Sequence, residues 1–308
     1  MNLRACFRLG MMVLALLCGL ERAGAAEPLN VVASIKPIHA LVAGVMAGAG
    51  TPTLLVTGNA SPHDYALKPS AMRALETARL VFWMGPTIEG FLPRPLKALG
   101  GPRSVALGEQ LGDRLLPLRS TLERHDNDKP RQDNKHFLPD LHAWLDPDIA
   151  AAMVEIIARE LGVADPERAA LYAANAATLK SQLKALDAEL EATLSPAKDR
   201  AYIVFHDAYQ YFERRYGLSG LGSLALHTEA PPGAKHLVVL RARIESGEAR
   251  CVFAEPQFDA KLVHALIEGS SARSATLDPL GSDLPDVAES YFTLMRRLAT
   301  SFAACLAD

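Results

Sequence analysis

The chain has 308 residues and a formal net charge of −3 at pH 7, with 32 basic and 35 acidic side chains. This balance provides no strongly basic face, so we expect no nucleic-acid partner. The length suits two domains of ordinary size, and no segment beyond the N-terminus has the roughly 20 apolar residues that span a bilayer.

The first 26 residues have the organisation of a secretory signal peptide. Arg4 and Arg8 supply the positive region, residues 11–17 form a short apolar run, and residues 23–25 fit a small-residue cleavage site. The run is too short for a membrane anchor. Cys18 raises the alternative of a lipoprotein, but leucines precede it where small residues are expected. We expect cleavage and an exported mature chain.

Two cysteines, Cys251 and Cys305, remain after removal of the signal peptide. An even pair in an oxidising compartment favours a disulfide, and two buried free thiols are the alternative. A bridge closing this interval stabilises by about 4 kcal/mol in the chain-entropy model. It would tie the last helix to a strand.

The first half of the mature chain alternates short apolar strands with helical segments. The predicted strands are 29–35, 53–56 and 80–83, and the predicted helices between them are 37–47 and 70–78. Such alternation is typical of parallel βαβ units. Residues 123–140 interrupt it with charged and amide side chains, and we interpret this segment as a mobile surface loop.

A long helix is predicted in the middle of the chain. A first helix runs from 147 to about 161, and Asp165 and Pro166 then provide a capping residue and a first-turn proline. The leucines between 179 and 194 follow at spacings of three and four residues. We interpret this helix as a rigid connection between two lobes; the alternative, a coiled-coil dimer, needs a longer stripe.

The α/β alternation then resumes, with predicted strands at 201–205, 251–254 and 275–277 and a final helix over 285–306. The sequence thus predicts an α/β protein of two lobes, each with a mainly parallel sheet flanked by helices. We place the signal peptide at 1–26, the N-terminal lobe at 27–164, the linker helix at 165–197 and the C-terminal lobe at 198–308.

Four possible metal ligands follow predicted strands or loops: His63, His142, His206 and Asp278. Ligands bind at the carboxyl ends of strands in open α/β sheets, so the four side chains would converge on the cleft between the lobes. Each one alone is also compatible with a structural histidine or a turn aspartate. No CxxC or HExxH spacing is present, so the residues indicate a metal or active site without naming it.

Six segments together resemble the zinc-uptake substrate-binding proteins of bacterial ABC transporters, within the cluster A-I metal-binding family. In chain order they are 32–37, 61–70, 142–147, 205–212, 251–258 and 276–281. The resemblance implies a periplasmic protein of two α/β lobes bridged by a rigid helix, with metal in the cleft and a membrane permease as its partner. It also implies that His63, His142 and His206 bind zinc, and that Asp278 matches a carboxylate that ligates metal in some members.

Two departures from the family pattern matter. Some zinc-binding members carry a glutamate immediately before the first histidine, where this chain has Pro62. The loop before the second histidine, often rich in histidine in the family, holds only His125 and His136. Two histidines are too few for a closed tetrahedral site, so a solvated loop that binds no metal is favoured; the alternative is a weak second zinc site completed by Asp126, Asp128 or Asp133.

The ligand types favour zinc. Three imidazoles with one carboxylate or water suit tetrahedral Zn²⁺, whereas manganese-binding relatives have a carboxylate in place of His206. Asp64, Tyr65 and Asp207 adjoin ligands and either orient imidazoles or belong to the ordinary polar surface. The other histidines with no assigned ligand role are His39, His227, His236 and His264. Glu255 follows a strand near the cleft, and we assign it no role.

Three other functions compete with zinc delivery: a manganese-binding protein, an adhesin and a zinc hydrolase. A three-histidine zinc site with an open position can activate water. The sequence offers no recognisable general base or substrate pocket, so we expect a monomeric binding protein and not an enzyme.

Overall fold

The computed structural model describes residues 29–119, 138–225 and 233–307. The predicted signal peptide lies outside the described residues, as does most of the predicted polar loop. None of the described helices has the length and hydropathy needed to cross a membrane.

The N-terminal half forms a parallel sheet of four strands. They are β1 (Val31–Ala33), β2 (Thr53–Leu54), β3 (Leu80–Trp83) and β4 (Arg103–Ala106), in the spatial order β2-β1-β3-β4. The two central strands are fully buried, which is why they consist of uninterrupted apolar residues. The flanking helices are α1 (Lys36–Val45), α2 (Pro69–Thr77), α3 (Pro93–Leu99), α4 (Leu107–Leu111) and α5 (Pro147–Ala164).

The C-terminal half repeats this topology. Its strands are β5 (Ala201–His206), β6 (Ser219–Ala225), β7 (Cys251–Ala254) and β8 (Arg273–Thr276), all parallel and in the order β6-β5-β7-β8. Its helices are α7 (Gln210–Tyr216), α8 (Ala234–Glu245), α9 (Lys261–Ile267) and α10 (Glu289–Leu306). In both sheets the strand order reverses beside the first strand, and ligands bind at such a switch point.

The halves are joined by α6 (Ala169–Leu194), a helix of 26 residues that spans about 39 Å at 1.5 Å per residue. Its buried face includes the predicted leucine stripe, from Leu179 to Leu194. A 3₁₀ turn, Pro166–Arg168, precedes the helix, so the proline ends up in that turn and not in the α-helix itself. The two-lobe α/β fold with a long connecting helix is confirmed; the lobe boundaries at 164 and 198 stay a prediction.

A disulfide joins Cys251, at the start of β7, to Cys305, near the end of α10, with their Cα atoms 6.1 Å apart. Both residues are buried. The predicted bridge is therefore confirmed, and it fastens the last helix to the sheet of the C-terminal half. The same helix packs against α1 and α6, so it contacts both halves of the chain.

Candidate metal centre

Three histidines from separate elements meet between the lobes. His63 lies in the connection from β2 to α2, His142 precedes the 3₁₀ turn Ala143–Leu145, and His206 ends β5. Each offers one ring nitrogen, and these atoms all lie within 4.8 Å of one another. The ring centroids are 5.3 to 5.9 Å apart. His142 and His206 are buried, and His63 is partly exposed.

The three histidines line a small cavity, and its walls come from both lobes. Trp144 packs against the His142 ring, with centroids 5.2 Å apart, and its Nε1 donates to the carbonyl of Pro279 at 2.9 Å. Phe258 packs against His206, with centroids 5.8 Å apart. The free volume available to the centre of a water-sized sphere is about 10 Å³, which is the space of one water or one ion.

Asp140 fixes the orientation of His142. Its Oδ1 lies 2.8 Å from the ring Nδ1 and accepts from the backbone N–H of His142 at 2.9 Å. The other ring nitrogen, Nε2, is therefore left for a metal. Burial raises the pKa of Asp140 to about 7, while burial and the nearby His206 ring hold the pKa of His142 well below its usual value.

Glu255 holds His206 in the same way. Its carboxylate oxygens lie 2.7 and 2.8 Å from Nδ1 of His206. Both residues stand at the switch point of the second sheet, one ending β5 and the other directly following β7. Burial lowers the pKa of His206, but the charge and hydrogen bond of Glu255, with the charges of Asp207 and Asp140, outweigh it and raise the pKa.

His63 is held as a neutral imidazole. Burial is the main cause that lowers its pKa to about 2, and the nearby rings of His142 and His206 lower it further, against a hydrogen bond with the backbone of Thr87. A neutral ring offers a lone pair to a metal without first losing a proton. The three side chains therefore form a set of convergent imidazoles, which is the donor set that zinc prefers.

Asp278 is not part of this group. Its Oδ1 accepts from Gln257 Nε2 at 2.8 Å and from the backbone N–H of Leu280 at 3.0 Å. Its Oδ2 accepts from the backbone N–H of Ser282 at 2.6 Å. Gln257 lines the histidine cavity, and Asp278 lines a neighbouring pocket. Its role as fourth ligand stays a prediction, one that requires its carboxylate to leave these donors.

The residues adjoining the ligands make other contacts. Tyr65 donates to the carbonyl of Leu55 at 2.9 Å, Asp207 pairs with Arg119 at 2.8 Å, and Asp64 is exposed. The side chains that orient imidazoles are Asp140 and Glu255, neither of which was predicted to do so from the sequence.

The other described histidines are not part of this group. His39 and His236 contact the backbone carbonyls of Pro52 and Ser223, and His264 is exposed on α9. His125, His136 and His227 lie outside the described residues.

A cavity the size of one ion, enclosed by imidazoles from two α/β lobes, defines a two-lobed metal-binding protein. The family model ZnuA, described as zinc-uptake complex component A, periplasmic, matches residues 31–305. The chain therefore belongs to the ZnuA family, which confirms the resemblance carried by the six segments.

Individual relatives agree with this assignment. The high-affinity zinc uptake system protein ZnuA of Brucella abortus strain 2308 is 41% identical over 333 residues, covering 99% of each chain. The ZnuA of Yersinia pestis is 35% identical, covering 91% of this chain and 94% of the relative. A crystal structure of ZnuA superposes with a TM-score of 0.78 at 26% identity, covering 91% of this chain and 100% of that one.

Proposed function

We propose that this protein captures Zn²⁺ in the periplasm and delivers it to the membrane permease of a zinc ABC transporter. The observation that carries the proposal is the convergence of His63, His142 and His206, with two of the rings fixed through Nδ1 by buried carboxylates. The relatives support the same function, since they are described as zinc uptake system proteins. In this proposal zinc is the cargo of the protein.

The ligands in the proposed site are His63, His142 and His206, with Asp278 or a water molecule in the fourth position. All three imidazoles offer nitrogen, and nitrogen donors favour zinc over manganese, which prefers oxygen. A manganese-binding function is the alternative, and His206 disfavours it.

Binding without catalysis fits the cavity. Its free volume of about 10 Å³ admits an ion but no organic substrate. Asp140 and Glu255, the two carboxylates that contact the histidine rings, already bind ring nitrogens and are not placed to act as a general base on a bound substrate. We therefore infer a carrier and not a hydrolase.

Zinc titration with a competing chelator tests the proposal. We expect one tight site, and His63→Ala, His142→Ala and His206→Ala each to weaken it by more than 100-fold, since each removes a ligand. Asp278→Ala should weaken it less. The control is His264→Ala, which removes an exposed histidine of α9. Near-normal affinity in any of the three ligand variants would remove that residue from the site, and no tight binding by the unaltered protein would refute the function.

A further inference from the structure

Lys36 connects the two lobes through a buried ammonium group. It begins α1 in the N-terminal half, and only 8% of its surface is exposed. Its Nζ lies 3.2 Å from the carbonyl oxygen of Ser282, donates to the carbonyl oxygen of Leu284, and lies 3.1 Å from Oδ1 of Asp286. All three partners belong to the connection between β8 and α10 in the C-terminal half.

A buried ammonium is retained only where acceptors replace its hydration. Here two backbone carbonyls and one carboxylate face its three N–H groups, so the charge is compensated only while the connection 278–286 stays in place. Moving that connection away would break all three of these contacts and leave the ammonium to be solvated by water instead. Lys36 therefore restrains the connection against the opposite lobe.

The restrained connection is the one that holds Asp278. The backbone N–H of Ser282 donates to Oδ2, while Gln257 Nε2 donates to Oδ1 at 2.8 Å and to the Ser282 hydroxyl at 2.8 Å. Because a carboxylate only accepts, the amide edge of Gln257 that faces Asp278 must be the NH₂ group. Ser282 thus contacts Lys36 through its carbonyl and Asp278 through its N–H.

We propose that Lys36 is an interlobe latch, a positioning residue that holds the connection 278–286 so that Asp278 stays away from the three imidazoles. The proposal rests on the zinc site inferred above and adds to it a control of the fourth ligand. While the latch is closed, zinc is bound by three histidines and an exogenous ligand. When the connection is released, the Asp278 carboxylate is free to reach the metal.

A double-mutant cycle on zinc affinity tests the latch. Lys36→Met keeps the aliphatic stem and removes the ammonium. We expect Asp278→Ala to change zinc affinity by less than threefold in the unaltered protein and by at least tenfold in the Lys36→Met background. The matched control is Lys180→Met, which breaks an exposed ion pair with Glu155 and should leave the effect of Asp278→Ala unchanged. An equal effect of Asp278→Ala in both backgrounds would overturn the proposal.

Amide hydrogen exchange provides a second readout, made without metal. The Ser282 N–H donates to Asp278, so a peptide covering 279–284 should exchange at least tenfold faster in Lys36→Met than in the control. Asp286→Asn weakens the latch at a half-exposed partner and should give a smaller increase in the exchange rate. This variant replaces Lys36→Met in the experiment if Lys36→Met folds poorly. Unchanged exchange in both variants would also overturn the latch. If the protein binds no zinc, the proposed site is refuted, but this exchange measurement without metal still tests the latch.

Discussion

Glu255 reaches His206 from the neighbouring strand, and its carboxylate lies within 2.8 Å of the ring Nδ1. The two residues are 49 positions apart in the chain and meet because β5 and β7 are paired. This contact and its counterpart between Asp140 and His142 fix which nitrogen each ring presents to the cavity.

These carboxylates should tune zinc affinity without touching the metal. We expect Asp140→Asn and Glu255→Gln each to weaken zinc binding by about 10- to 100-fold, which is the usual cost of losing such a partner. Asp64→Asn is the matched control, since Asp64 adjoins His63 but is exposed. Chelator competition measures all three. An effect of Asp64→Asn as large as that of the other two would mean that the loss reflects local charge and not ring orientation.

As the pH is lowered, zinc affinity should decrease less steeply than it would at a site of three histidines with ordinary pKa values. His63, with a pKa of about 2, and His142, whose pKa is also lowered, carry no proton near neutrality. The pKa of His206 is raised and that of Asp140 is about 7, so as the pH is lowered zinc must increasingly compete with protons on these two groups. We expect that about one to two protons are displaced per zinc ion bound between pH 8 and 5.5, as given by the slope of the logarithm of zinc affinity against pH. Competition titration measures this slope.

The variant Glu255→Gln tests the direction of this pH effect. Removing the negative charge lowers the pKa of His206, so proton competition should begin at a lower pH than in the unaltered protein. A slope of three protons, or a shift of the competition to higher pH in this variant, would contradict the assignment.

Zinc should raise the thermal stability of the protein. The proposed ligands come from both halves of the chain and converge only in the folded state, so binding would shift the unfolding equilibrium. At a free zinc concentration of roughly 1,000 times the dissociation constant, the gain is about 4 kcal/mol. Scanning calorimetry measures it, with the His206→Ala variant as control. An unchanged melting temperature in excess zinc would be incompatible with the proposed site.

Removal of the disulfide should affect stability more than zinc binding. The bridge closes an interval of 54 residues, and its loss in a Cys251→Ala, Cys305→Ala double variant should cost about 4 kcal/mol in the free energy of unfolding. Zinc affinity should change by less than tenfold, because the bridge ties α10 to β7 and touches none of the imidazoles. Denaturant unfolding and zinc titration of the same sample decide the comparison.

The central strands were predictable from sequence, and several edge strands were not. β1, β3, β5 and β7 are buried on both faces and form continuous apolar runs near the predicted positions. β4 and β6 lie at sheet edges, include partly exposed or exposed positions, and were missed. β2, also at an edge, was predicted too long. An edge strand needs less apolar surface, so its sequence signal is weaker.

The sequence located the histidines but not the side chains that orient them. Proximity in the sequence pointed to Asp64 and Asp207, but Asp64 is exposed and Asp207 pairs with Arg119. Successive side chains at the end of a strand point to opposite faces, so the residue next to His206 is poorly placed to orient its ring. Glu255 could have been inferred from its place directly after an apolar strand, but its contact with His206 depends on which strands are neighbours.

The proposed ligands are divided unequally between the halves of the chain, with His63 and His142 in the first and His206 in the second. Zinc–nitrogen distances in well-formed sites lie within about 0.2 Å of their ideal length. A separation of the lobes by about 1 Å would therefore break the bond to His206 while two imidazoles still held the ion. A transporter that moved one lobe this far would turn a strong site into a weak one, so release of the ion would need neither protonation of the ligands nor unfolding of the binding protein.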